Sequence, residues 1–226
     1  MNTLGRPRLH LRVVDSTNAR ARELAAAGAP HGTVVTASAQ TAGRGRQGRT
    51  WTAPAGRALL CSVVIREPPR LLPLIAGVAV ADTVGPDARL KWPNDVLRDG
   101  RKLAGILVEG RPQEQWAVVG IGLNVAIAHD DFPAELHDTA GTLGLAPEAI
   151  EPKLDQLLRA LERWLGASDT ELLEAVRTRD ALLGQPVRWG DDEGRGAGID
   201  DGGRLLVETA DGVVALDAGE VHLRRG

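Results

Sequence analysis

Cysteine is almost missing from this 226-residue chain: Cys61 stands alone, so no internal disulfide can form, and such usage suits a reducing cytosol. Cys61 falls in the apolar run 58–65, where a small buried hydrophobe is expected rather than a nucleophile. Tyrosine is absent and phenylalanine occurs once, beside abundant Ala, Arg and Gly; this is compositional bias and carries no functional meaning. An excess of positive charge is missing too. With 27 Lys and Arg against 30 Asp and Glu, the net charge is −3, and the chain as a whole lacks the electrostatic footprint of a nucleic-acid binder. No apolar run is long enough to span a bilayer: the longest, 71–84, is short and is broken by Pro73 and Asp82. Nor does an apolar segment follow the basic residues of 1–8, so no secretory signal is expected. Together these absences predict a soluble, cytoplasmic protein with no membrane contact. Internal repeats and low-complexity segments are also lacking.

What is present suffices for a sizeable core, since 43% of the residues are hydrophobic. The length suits one medium domain, with or without a small appendage. Residues 9–14 read as a strand, and Asp15-Ser16-Thr17-Asn18 supplies capping side chains for a helix that Gly28 and Pro30 close. Residues 33–39 are β-rich. A buried strand at 58–65 and a buried helix at 73–84 follow. Strands at 89–92, 102–108 and 116–121 come next, separated by Pro-Asn-Asp and Gly-containing turns. Leu154, Leu157, Leu158, Leu161 and Leu165 recur at helical spacing over 151–166, and a second helix covers 170–179. This order predicts an α+β domain, a mixed sheet flanked by helices. Near Gly184 the composition changes. Short β-rich pieces at 187–189, 196–199, 205–208, 213–216 and 221–223 alternate with Asp/Gly turns. They predict a five-stranded small barrel of roughly 40 residues, packed on the main domain. The expected division is therefore 1–183 and 184–226.

Between the second and third strands, residues 40–57 show neither helical nor strand period. Such a stretch inside a compact domain is either functional or misassigned. Its centre, Gly43-Arg44-Gly45-Arg46-Gln47-Gly48-Arg49, has the spacing of a dinucleotide fingerprint and nearly that of a P-loop. Both readings fail on context: each motif must open a helix directly after a strand, and Trp51-Thr52-Ala53-Pro54 cannot start one. What remains is a glycine-rich backbone able to approach a ligand closely. It carries Arg44, Arg46 and Arg49, planar forks suited to carboxylate and phosphate. Such a loop could close over an anion and become ordered on binding. The blander reading is a solvated linker or an RNA-binding Gly/Arg segment. A single copy set between two buried strands argues against it.

Lys91-Trp92-Pro93-Asn94-Asp95 ends a strand and enters a turn. A lysine partly desolvated beside Trp and Pro would act more strongly on a phosphate, although the segment alone reads as a tight turn with a surface lysine. Residues 102–109 make a strand with Gly105 inside it, a mark of close approach by a ligand or another backbone. Gly120-Ile121-Gly122-Leu123-Asn124 is a further glycine-marked turn with an exposed amide candidate. Each of these signals is weak alone.

In combination, and in this order, Asp15-Ser16-Thr17-Asn18, the run from Gln40 to Trp51, Lys91-Trp92-Pro93-Asn94-Asp95, 102–109 and 120–124 resemble the biotin–protein ligase family over most of 9–125. The C-terminal segment is similar to that family's SH3-like domain. The resemblance implies the fold of the class II aminoacyl-tRNA synthetase and biotin ligase group. It also implies a monofunctional ligase that forms biotinyl-5′-AMP from biotin and ATP with Mg²⁺. Biotin then passes to a lysine of a biotin carboxyl carrier domain of a carboxylase.

Carried over, the resemblance places Ser16, Thr17, Asn18 and Gln40 around biotin's ureido ring, a neutral group that needs donors and acceptors together. Arg44, Gly45 and Arg46 would fold over the biotin tail and the α-phosphate, and Lys91 would contact the acyl-phosphate oxygens. Arg44, Arg46 and Lys91 would thus be the catalytic charges. The ATP side would add Arg49, Trp51 as a cap, Asn94 near the phosphates and Asn124 facing adenine. The metal ligands stay open. Gln47 stands where a basic residue is common in the family. Residues 1–8 leave no room for the DNA-binding helix-turn-helix of some members, so operator binding is not expected. Monomer and homodimer both remain open. A lipoate–protein ligase-like enzyme and a non-catalytic biotin-binding module are the alternatives. The arginine loop together with the 91–95 turn favours biotin over lipoate, and a mere ureido binder needs no phosphate clamp.

Overall fold

The computed structural model describes residues 4–217 and 221–223. Residues 1–3 of the basic N-terminal segment, and 218–220 and 224–226 of the expected barrel, lie outside the described residues.

β1 (Arg8–Val14) and β2 (Val34–Gln40) are parallel neighbours joined through helix α1 (Thr17–Ala26). Ser16 caps α1, its hydroxyl accepting from the Ala19 amide. β3 (Ala58–Arg66) runs antiparallel to β2. After helix α2 (Leu72–Val84) the chain adds β4 (Arg89–Lys91), β5 (Asp95–Arg98), β6 (Arg101–Arg111) and β7 (Trp116–Asn124). The seven strands take the order β1-β2-β3-β7-β6-β5-β4, and every pair but the first is antiparallel. The near-unbroken apolar runs of β3 and β7 suit strands covered on both faces. β5 adds a strand to those expected. Its four residues are too few to show a period. The turn that folds it onto β6, Asp99-Gly100, holds both residues at positive φ, as a tight hairpin requires.

α1 seals one face of the sheet with Ala21 and Ala25 against Val35, Val64, Trp116 and Val118. α2 lies over the other face, beneath α3 (Ile150–Leu165) and beside α4 (Asp169–Thr178). A helix enclosed on all sides is apolar all round, which accounts for the longest hydrophobic run in the chain. Among the described residues no helix is long and apolar enough to cross a membrane. α3 buries Leu154, Leu157, Leu158 and Leu161, as their spacing predicts. Cys61 is free and fully buried, and burial pushes its thiol up to about 12, so it is inert at neutral pH.

β8 (Pro186–Trp189), β9 (Asp192–Ile199), β10 (Leu205–Thr209), β11 (Gly212–Leu216) and β12 (His222–Leu223) form an antiparallel sheet in the order β11-β10-β9-β8-β12. Turns fall at the three expected Asp/Gly sites. Among the described residues the outer strands β11 and β12 do not pair, so the hydrogen bonding does not close into a barrel. Val187, Ile199, Leu205, Val207 and Val221 share one apolar core with α2 and the main sheet, so the small sheet is seated on the rest of the molecule.

Candidate active site

One cleft gathers nearly every segment singled out from the sequence. Its walls come from the α1 N-terminus, the end of β2, the arginine loop, the β4–β5 turn, β6, β7 and Val221 just before β12. The empty space amounts to about 880 Å³, including the part open to solvent. Ser16, Thr17, Asn18, Gln40, Arg44, Gly45, Arg46, Arg49, Trp51, Lys91 and Asn94 all line it. Asn124 does not. It is buried at the end of β7 with Nδ2 donating to the Gly141 carbonyl at 2.8 Å, so that amide holds the neighbouring loop.

One end of the cleft is neutral and hydrogen-bonding. The parallel strands β1 and β2 both end here, so Ser16 to Asn18 and Gln40 emerge side by side. Gln40 Oε1 accepts from the Thr17 amide at 2.7 Å and lies 3.0 Å from the Thr17 hydroxyl. Ser16, Thr17 and Asn18 are all buried, so a ligand here meets fixed polar groups rather than water.

The other end is cationic. The Gly45 amide donates to the Arg49 carbonyl at 2.7 Å, and the Trp51 backbone amide donates to the Gly43 carbonyl at 2.9 Å. These bonds turn the loop back on itself around a tight turn at Arg46–Gly48, with Gln47 and Gly48 both at positive φ. Arg46 reaches across to Asn94 Oδ1 at 3.1 Å, and Asn94 Nδ2 donates to the Ile106 carbonyl at 3.0 Å. Asn94 therefore braces Arg46 against β6. Burial lowers the Arg46 guanidinium pKa; Asp95 opposes that shift and Arg49 adds to it, yet the group stays charged at any working pH. His222 on β12 is held below the usual histidine range by burial and then by the charges of Lys91, Arg49 and Arg188.

Lys102 is a further cleft residue that sequence reasoning left out. Its Nζ sits 2.7 Å from Asp95 Oδ1, close enough for an ion pair although the angle is not that of a hydrogen bond. It also stands 5.7 Å from the centre of the Trp51 ring, within cation–π range. Trp51 lies over Gly105 and Gly122, which face each other across β6 and β7. Any side chain at either position would occupy the ring's place. Trp51 Nε1 is buried with no hydrogen-bond partner among the described residues.

A neutral, directional pocket joined to a cluster of fixed cations can hold an acid by its uncharged head and bring its carboxylate to a phosphate. This is the arrangement of an acid-activating, nucleotide-using ligase. Residues 10–125 match the family model described as biotin/lipoate A/B protein ligase family, and 182–224 match the biotin protein ligase C terminal domain. The chain belongs to the biotin/lipoate A/B protein ligase family. It is 39% identical to the biotin--[acetyl-CoA-carboxylase] ligase of Mycobacterium tuberculosis, with 92% of this chain and 86% of that protein covered. Identity to the protein of the same name from Paracoccus denitrificans is also 39%, over 92% of this chain and 96% of that one. The fold is similar to that of the biotin protein ligase from Aquifex aeolicus in complex with biotin and ATP. The TM-score is 0.81 at 30% identity, covering 98% of this chain and 100% of the other.

Proposed function

We propose that this chain is a biotin–protein ligase: it makes biotinyl-5′-AMP from biotin and ATP and passes the biotinyl group to a lysine of a carboxylase's biotin carboxyl carrier domain. The reading is carried by the meeting, in one cleft, of the Thr17–Gln40 pocket with Arg46, Lys91 and Lys102. It is supported by the family and by relatives that bear this activity in their names.

Biotin's ureido ring takes the neutral end, among Ser16, Thr17, Asn18 and Gln40, and its carboxylate points toward the cations. A carboxylate oxygen attacks the α-phosphorus of ATP. The new P–O bond forms as the bond to the bridging oxygen of the β-phosphate breaks, and pyrophosphate leaves. Both reactants are anions, so the barrier is largely electrostatic. Arg46, Lys91 and Lys102 offset it, with Arg44 and Arg49 adding charge from the loop. A neutral lysine amine of the carrier then attacks the biotinyl carbonyl and AMP departs. Between the two steps Trp51 and the loop keep water from the mixed anhydride.

Mg²⁺ would neutralise triphosphate charge. Asp95 is the cleft's carboxylate; its buried Oδ1 has the Lys102 ammonium 2.7 Å away but no hydrogen bond among the described residues, and Lys102 would have to yield it to the ion. Among the described residues no group of three or more potential metal ligands exists, so phosphate oxygens and water would complete the shell, as is usual for this ion. In this reading Asn124 supports the adenine side through the 141 loop. Residues 1–183 carry the cleft, and 184–226 contribute part of its wall. The enzyme works in the cytoplasm, where ATP and the carboxylase carrier are found.

The test is incubation with biotin, ATP, Mg²⁺ and an isolated carrier domain, followed by intact-mass measurement of the carrier. A gain of one biotinyl group is expected. No gain, or a lipoyl group gained in preference when lipoate competes, would overturn the proposal.

A further inference from the structure

Behind the neutral end of the cleft runs a chain of polar side chains that touches none of the reacting atoms. It starts at Glu109 on β6, whose Oε1 pairs with Arg22 of α1 at 2.9 Å. Its other oxygen accepts from Asn18 Nδ2 at 2.9 Å, and the same nitrogen lies 3.2 Å from the Leu107 carbonyl. A carboxylate and a carbonyl can only accept, so the Asn18 amide has one allowed orientation, with Nδ2 toward β6. Its Oδ1 then faces β3, 2.7 Å from the Ser62 hydroxyl. An amide oxygen cannot donate, so Ser62 gives its only proton to Asn18. Ser62 is wholly buried, and Asn18 presses on Gly120, where a Cβ would stand 2.0 Å from Oδ1.

The consequence reaches the cleft through Thr17. Its Oγ1 lies 2.9 Å from Ser62 Oγ and 3.0 Å from Gln40 Oε1. Three short oxygen–oxygen contacts thus share two hydroxyl protons. With the Ser62 proton committed, two acceptors compete for the Thr17 proton and none is left for a ligand. Thr17 Oγ1 must therefore meet a ligand as an acceptor. Gln40 Oε1, which can only accept, already faces both the Thr17 amide and the Thr17 hydroxyl, so Nε2 is the atom it has left to offer a ligand.

We infer that Glu109, Asn18 and Ser62 are positioning residues that fix the hydrogen-bond polarity of this pocket, an acceptor at Thr17 and a donor at Gln40. They thereby select a ligand that presents an N–H beside a C=O, as a cyclic urea does. The inference rests on the proposed function, which assigns this end of the cleft to biotin.

The test compares the intact enzyme with Glu109→Ala and Glu109→Gln. Biotin Kd is measured by titration calorimetry without nucleotide, and KM for ATP is measured at saturating biotin. Glu109 sits in a half-exposed ion pair, so both variants should fold, which a thermal melt checks. Glu109→Ala leaves Asn18 Nδ2 with the Leu107 carbonyl in place of two acceptors and should raise biotin Kd about tenfold, the scale of one lost hydrogen bond to a charged group, with KM for ATP held within about twofold. Glu109→Gln still offers an oxygen to Asn18 and should stay within about threefold of the parent for biotin. An unchanged biotin Kd in Glu109→Ala overturns the inference. So do parallel losses for biotin and ATP, or a Glu109→Gln as impaired as the alanine variant. Failure of the parent enzyme to bind biotin would instead strike the functional reading, and shows before any variant is made.

Discussion

Replacing Gly122 with alanine should unseat Trp51 and open the arginine loop. A Cβ at Gly122 would stand 2.4 Å from Trp51 Cε2, and one at Gly105 would stand 2.9 Å from Cζ3. Carbon atoms rest at about 3.5–4.0 Å, so at Gly122 the overlap exceeds an ångström, and it falls on a rigid ring. The ring must leave. A tryptophan buries on the order of 200 Å². Giving up about half of that at about 25 cal/mol per Å² costs about 2.5 kcal/mol. That is roughly a 60-fold shift toward the open loop. The strand itself should persist, because alanine weakens a strand less than glycine does. Tryptic cleavage after Arg44, Arg46 and Arg49, measured with biotin and ATP bound, should accelerate by about that factor, and biotinyl-AMP should be hydrolysed faster in the absence of carrier. Gly105→Ala should act in the same direction but less, since its clash is milder and part of it falls on the flexible end of Lys102. A Gly122→Ala enzyme cut at the parent's rate, and keeping its adenylate as long, would refute the idea that this floor seats the loop.

Lys91→Ala should lower adenylate formation by about 10²–10³-fold, the worth of one fixed charge on a transferring phosphoryl group, with the melting temperature unchanged; pyrophosphate release reports it. Asp180→Asn should stabilise the protein near neutral pH. Burial pushes the Asp180 carboxyl above its ordinary 3.8, against hydrogen bonds from the Leu182 and Leu183 amides, and Oδ2 has no hydrogen-bond partner among the described residues. The folded state therefore holds this proton to higher pH than the unfolded chain, and stability is lost as pH rises above 3.8. The asparagine variant should melt higher than the parent at neutral pH and alike near the acid end; an equal gain at both would assign the effect elsewhere. Ser168→Ala removes one side of the α4 capping box and should cost about 1 kcal/mol, roughly 2–4 °C, with biotin and ATP affinities unaltered. A change in either affinity would mean that α4 communicates with the cleft.

Most of the sheet was legible because β3, β7 and α2 are buried on every side and their apolar runs stand out. The cleft was legible for a different reason: glycines and arginines have few structural excuses to cluster between two buried strands. Lys102 escaped because its visibility depended on a bulge. Simple alternation along β6 puts residues 101, 103 and 105 on one face and sends Lys102 to the other. The pairing shifts register there: Val96 opposes Ala104, yet Leu97 opposes Lys102, so Leu103 is the extra residue. That irregularity brings Lys102 to the same face as Gly105. Ser62 and Glu109 escaped because each looks ordinary in its own strand. Their meaning lies in which neighbours are able to donate, and that depends on contacts 40 or more residues away in sequence. Asn124 shows the converse: a motif residue that looked ligand-facing spends its amide on the backbone of the next loop.

Trp92 Nε1 donates to the Gly203 carbonyl at 3.1 Å, and Val221 closes part of the cleft beside the 91–95 turn. The 91–95 turn is thus held from two sides, by the seven-stranded sheet that it belongs to and by the small antiparallel sheet that rests on it. Any displacement of the small sheet would release the Trp92 indole and withdraw Val221 from the cleft in one movement, so the seating of the two sheets sets the shape of the cleft at Lys91.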